Sequence, residues 1–168
     1  LIETTSPITG TVLMEPIRRQ WSKDSGDMNA QCVAACERDP LGKATAYFVN
    51  HRASSPWFSA RTPNVIVSKP DATTEDRVRA VVENVGNLIV RMIEEFVDKG
   101  ALGPDSAQEL VVTGGGSELD YLLQYIADVS GRTLHRMKTR EATARGAALS
   151  ALMYATNVVD ARRFTQEE

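Results

Sequence analysis

Thr113-Gly114-Gly115-Gly116-Ser117 is the stretch of this sequence best equipped for chemistry. Its three consecutive glycines have no Cβ atoms, so the backbone can turn tightly and another group can approach it closely. The apolar run Leu110-Val111-Val112, with the size and branching of a buried strand, leads straight into the turn. Helical spacing follows: Leu119, Leu122, Leu123, Ile126 and Val129 fall on one face, and Gly131 reads as the stop. Ser117 with Asp120 three residues on reads as an N-cap box. Free backbone N–H groups at a helix start favour anionic or acceptor atoms, so strand, turn and helix together suit a polar or planar ligand. The turn is not a Walker A loop, because no Gly-Lys-Ser/Thr follows, and its spacing is not Gly-x-Gly-x-x-Gly. A plain packing turn between strand and helix is the competing reading.

Other reactive side chains offer less. The two histidines are His51 and His135, and nothing near His135 in sequence makes it an obvious base, so it reads as a structural or exposed strand residue. Cys32 and Cys36 would share one face of a helix; zinc would need further ligands, so both read as reduced, packed thiols. A disulfide between adjacent helical turns would be geometrically awkward. No metal site and no catalytic residue is assigned.

Two helices and several short strands must position the glycine turn. Thr73 to Val97 is the clearest helix, with Val78, Val81, Val82, Val85, Leu88, Ile89, Met92, Ile93 and Phe96 as its apolar stripe. Thr73 caps its start, Glu75 and Asp76 suit its positive end, and Lys99-Gly100 suits its stop. Glu83 on this helix reads as a solvated or salt-bridged residue. Ala46-Tyr47-Phe48-Val49, Val65-Ile66-Val67 and Thr133 to Met137 read as strands. Leu1 to Met14 reads as a hairpin, Pro16 to Trp21 as a helix start, and Ala30 to Glu37 as a short helix ended by Asp39-Pro40. Trp57 reads as a packing anchor. A last helix, from about Glu141 to Tyr154, is rich in alanine and contains Gly146, which lets it lie close to a sheet or ligand. One α/β domain over residues 1–156 is expected, with a polar, fraying tail over 157–168.

At 168 residues the chain is long enough for one sizeable core, and 42% hydrophobic content fits a globular protein. A net charge of −3 gives no electrostatic reason to expect nucleic acid. No apolar run approaches a membrane span and no signal-peptide pattern opens the chain, so the cytoplasm is the expected compartment. Its first residue, Leu1, reads as the start of a processed, truncated or cloned piece.

From Val111 to Ala151 the chain resembles the FGGY (glycerol kinase-like) carbohydrate kinase family. The matching pieces are Val-Val-Thr-Gly-Gly-Gly, then Leu-Leu-Gln-Tyr-Ile-Ala-Asp-Val-Ser-Gly, then Glu141-Ala142-Thr143-Ala144-Arg145-Gly146-Ala147-Ala148. Asp76, Ala80, Val81, Val82 and Glu83 match a second family signature, from which Arg77 (for an apolar residue) and Ile66 (for glycine) depart. The resemblance implies the later part of an actin-like, ribonuclease H-like C-terminal domain, a mixed sheet flanked by helices. It also implies that the Gly-Gly pair lies against the adenosine of ATP, with the Gly-Ala-Ala helix packed beside it. The candidate nucleotide-binding residues are then Gly114, Gly115, Gly116, Ser117, Leu119 and Asp120. Leu119 stands where the family has Asn or Ser, so Asp120 either faces the ligand in a shifted loop or only caps the helix.

In such kinases ATP, with Mg, meets a polyol or sugar between two domains. The N-terminal one brings an Asp-x-Gly-Thr phosphate loop and the aspartate base. This sequence has no Asp-x-Gly-Thr, and Asp24-Ser25-Gly26-Asp27 is only a superficial echo. The expected role is thus the ATP-binding C-terminal portion of a kinase, inactive alone and completed by an N-terminal domain or by self-association. The alternative is a non-catalytic module that works by associating with a partner chain.

Overall fold

The computed structural model describes residues 27–42, 44–48, 65–139 and 141–160. The expected hairpin at Leu1–Met14, the helix start at Pro16–Trp21, the loop bearing Trp57 and the tail beyond residue 160 lie outside them. In chain order the elements are α1 (Met28–Arg38), β1 (Ala46–Phe48), β2 (Val65–Val67), α2 (Thr74–Asp98), β3 (Glu109–Val112), α3 (Asp120–Ser130), β4 (Thr133–Arg136) and α4 (Ala142–Thr156). Short 3-10 turns occupy Asp105–Ala107 and Gly115–Glu118. The class is α/β, as the alternation of apolar runs and helical stripes predicts.

Helix α2 organises the core. A full capping box closes its start: Thr73 Oγ1 accepts the Asp76 N–H at 3.2 Å, and Asp76 Oδ2 accepts the Thr73 N–H at 3.1 Å. Val78, Val81, Val82 and Val85 on its expected stripe are fully buried. Cys32 and Ala35 of α1, Leu122 and Ile126 of α3, and Ala46 of β1 complete the core. Gly86 lets α3 come close, since a Cβ there would lie 2.7 Å from the Tyr125 ring. The two departures from the family signature find local reasons. Arg77 donates to the carbonyls of Ala72 (3.0 Å) and Pro70 (2.8 Å), tying down the loop before the helix. Ile66 lies within β2, its backbone opposite Tyr47, so a strand runs through the position where the family has glycine.

Strands β1 and β2 pair antiparallel, with Ala46 opposite Val67, whereas β3 and β4 pair parallel, with Val111 opposite His135. Among the described residues no ladder joins the two pairs. Helix α1 starts earlier than its apolar residues suggest, because Asp27 accepts the Asn29 N–H at 2.8 Å and caps it. Two expectations are corrected. Val129, expected on the same face of α3 as Leu122 and Ile126, is 49% exposed, whereas those two are buried. Helix α4, expected to pack closely, has none of its described residues buried, and a Cβ on Gly146 would meet no described atom within 4 Å.

Candidate functional site

Strand β3 ends at Val112, and the chain then passes through Thr113 into the glycines. Gly114 has φ +86° and ψ −179°, a conformation essentially reserved for glycine, and it redirects the chain into the 3-10 turn. The turn closes on itself, with Ser117 N–H bonded to the Gly114 carbonyl (3.0 Å) and Leu119 N–H to that of Gly116 (3.3 Å). Among the described residues, a Cβ at Gly115 would meet no atom within 4 Å. A backbone wall with no side chain is what a flat ligand can lie against.

Beside this wall is an apolar groove of about 270 Å³. Thr113, Gly116 and Ser117 form its rim at the turn, and Ile89, Leu123 and Leu134 are among the residues of its sides. A space of that size and lining suits a flat, largely apolar group with a polar edge, which the exposed backbone of the turn could meet.

The other expected site residues have different duties. Ser117 is buried, and its hydroxyl donates to the Gly114 carbonyl at 2.7 Å, bracing the turn. Leu119 is 8% exposed and belongs to the core cluster, so its side chain is no ligand-facing wall. Asp120 is exposed and paired with Arg136. The expected Ser117–Asp120 cap box is absent: Leu119 is the N-cap of α3 and makes no side-chain cap bond. The 3-10 turn intervenes and places Ser117 a turn too early.

The cap comes from elsewhere. Asn29 Oδ1 on α1 accepts the Tyr121 N–H at 2.8 Å. With the N–H groups of Ser117, Leu119 and Tyr121 all engaged, and carboxylates at Glu118 and Asp120, this helix start is poorly suited to a phosphate.

Behind the turn lies a buried polar network. Tyr121 O–H donates to Glu83 Oε1 (2.7 Å), which also accepts from Arg79 Nε (2.7 Å). The remaining Arg79 nitrogens donate to the carbonyls of Asp39 (2.5 Å) and Pro40 (3.2 Å) at the end of α1. Burial pulls the Arg79 pKa down, but the bond and charge of Glu83 outweigh it and hold the guanidinium more firmly charged than usual. Burial first, then Glu83, pushes the Tyr121 phenol well above its ordinary range. Cys32, fully buried beneath this network, has its thiol pushed up to about 12, mainly by burial and then by the charge of Glu83. Of this network the sequence offered a hint in the Arg79–Glu83 spacing; no local signal marked Asn29 or Tyr121.

A model of the FGGY family of carbohydrate kinases, C-terminal domain, matches residues 2–155. The chain belongs to the FGGY family of carbohydrate kinases and corresponds to its C-terminal domain. Among similar curated proteins, the glycerol kinase of Acaryochloris marina is 32% identical over 161 residues, covering 89% of this chain and 30% of the relative. The glycerol kinase of Streptococcus uberis is 26% identical over 152 residues, 86% of this chain and 29% of its own. That of Trichormus variabilis is 34% identical over 74 residues. This FGGY chain therefore spans less than a third of the length of the relatives it matches.

Proposed function

We propose that this chain supplies the adenosine-binding part of an ATP-dependent carbohydrate kinase, within an actin-like C-terminal domain. The parent enzyme transfers the γ-phosphoryl group of ATP to a polyol or sugar hydroxyl. The observation behind it is the bare glycine turn, of which Gly116 lines an adjoining apolar groove, in a chain whose relatives are glycerol kinases. Adenine would lie against the glycines with its apolar face toward Ile89 and Leu123, while the phosphates point away from the Glu118 and Asp120 carboxylates. In the transfer, the hydroxyl oxygen bonds to the γ-phosphorus as the bond to ADP breaks, and the hydroxyl proton passes to a base outside this chain. Among the described residues no group of three His, Cys, Asp or Glu side chains is placed to hold a metal. No described helix is long and apolar enough to cross a membrane, and a cytoplasmic location is proposed with the kinase role.

Calorimetric titration with Mg-ATP and Mg-ADP tests this directly, with Gly115→Arg as control. The variant should fold, because its Cβ has open space, while its side chain covers the wall. Saturable binding that the variant loses is the expected result; no binding by folded wild-type chain would overturn it.

A second reading, a module acting through a partner chain or a second copy, is favoured by one feature. Val111 of β3 is 68% exposed although parallel strands are ordinarily covered on both faces.

A further inference from the structure

We propose that Asn29 is a positioning residue for the glycine turn, capping α3 from a helix that lies 92 residues earlier in the chain. Leu119 is at once the C-cap of the 3-10 turn and the N-cap of α3, with φ −89° and ψ 90°. The join between the glycine turn and α3 falls at this one residue. Its apolar side chain can accept nothing, Ser117 Oγ is turned back to Gly114, and the Asp120 carboxylate is engaged by Arg136. The side-chain acceptor at this helix start is instead the Asn29 amide, 2.8 Å from the Tyr121 N–H.

Asn29 can act as a fixed point because its own surroundings are fixed. Its N–H is held by Asp27 Oδ1, and the end of its helix is held by Arg79 and by Arg38, which donates to Thr73 Oγ1 (2.8 Å) and Asp76 Oδ1 (2.6 Å). Residue 121 is clamped from both sides, its N–H by α1 and its phenol by Glu83 of α2. The α1 segment thereby becomes part of what shapes the turn. Any effect on nucleotide rests on the adenosine reading above; the effect on the turn does not.

Hydrogen exchange on the whole chain, comparing wild type with Asn29→Ala and Asn29→Asp, separates the two. Alanine should speed exchange of the Tyr121 amide about fivefold, the scale of one lost cap, and the amides of Ser117 and Leu119 should follow. Aspartate should restore wild-type exchange, since its carboxylate also accepts and suits the positive end of α3. A merely structural loss would instead accelerate Val81 and Val82 in step and would not be rescued by aspartate. Unchanged exchange at residues 117, 119 and 121 in the alanine variant, or a uniform rise across the core, overturns the proposal. In parallel, Mg-ADP should bind the alanine variant about fivefold more weakly and the aspartate variant as tightly as wild type. A wild type that binds no Mg-ADP would overturn adenosine binding at the turn, while the exchange data would still decide the role of Asn29.

Discussion

Arg79 illustrates how one side chain joins three segments. It is 8% exposed, ion-paired with Glu83, and bonded to the carbonyls where α1 ends. Those carbonyls lie past the helical ladder, Asp39 also accepting the Gly42 N–H at 3.1 Å, and the guanidinium fork meets several at once while still reaching a carboxylate. Arg79→Met keeps much of the apolar stem but leaves Glu83 and the α1 end without it. A loss of about 3 kcal/mol is expected, within the range for breaking a buried pair, and is measured as a lower urea midpoint at unchanged slope. Adding Glu83→Leu should return part of that loss, because the uncompensated buried charge is then gone. A single variant as stable as wild type would mean that water serves these carbonyls equally well.

The elements are held by their ends as much as by their apolar faces. The capping box of α2 is also where α1 is anchored, through Arg38 on Thr73 and Asp76. Burial pushes the Asp76 carboxyl up, yet the hydrogen bonds of Arg38 and of Thr73 outweigh it and hold it below its ordinary 3.8. Glu75 shifts the same way, first through its own backbone N–H and then through Thr73. A folded-state pKa below the unfolded one contributes stability that is fully present above the unfolded value. That contribution is lost as pH falls through the folded value. The chain should therefore lose stability below about pH 4, and Asp76→Asn should flatten that part of the profile while starting from a lower plateau. Chemical denaturation at a series of pH values reads both effects, and parallel profiles for the two proteins would refute them.

At the scale of the whole molecule, the described structure has faces that ordinary packing would cover. The side of β3–β4 that bears Val111 and His135 is open, and α4 presents alanines and an almost fully exposed Tyr154 to solvent. Apolar surface of this kind drives association when nothing covers it. Sedimentation of the isolated chain should show reversible self-association in the micromolar range. Val111→Lys should shift it toward monomer without altering the unfolding midpoint, because the residue is already exposed. A wild type monomeric at every concentration would count against the partner-dependent reading and leave the kinase portion as the simpler account.

Much of this chain is legible in its sequence alone, and the reason is locality. The valine stripe, the Thr73 cap, the Gly131 stop and the strand–glycine–helix order of the turn all arise from residues within a few positions of one another. Periodicity and capping chemistry read such arrangements directly. Family membership is legible for the same reason, through ordered local segments such as Val111–Gly116 and Glu141–Ala148. Tertiary structure decided what depends on partners distant in sequence. It set Leu119 into the core, spent Asp120 on Arg136, and brought Asn29 to Tyr121. A single side chain at a helix start can accept a ligand, cap the helix or fill the core with equal local plausibility. Which one happens depends on what the fold places within about 3 Å of it, and no window of neighbouring residues contains that information.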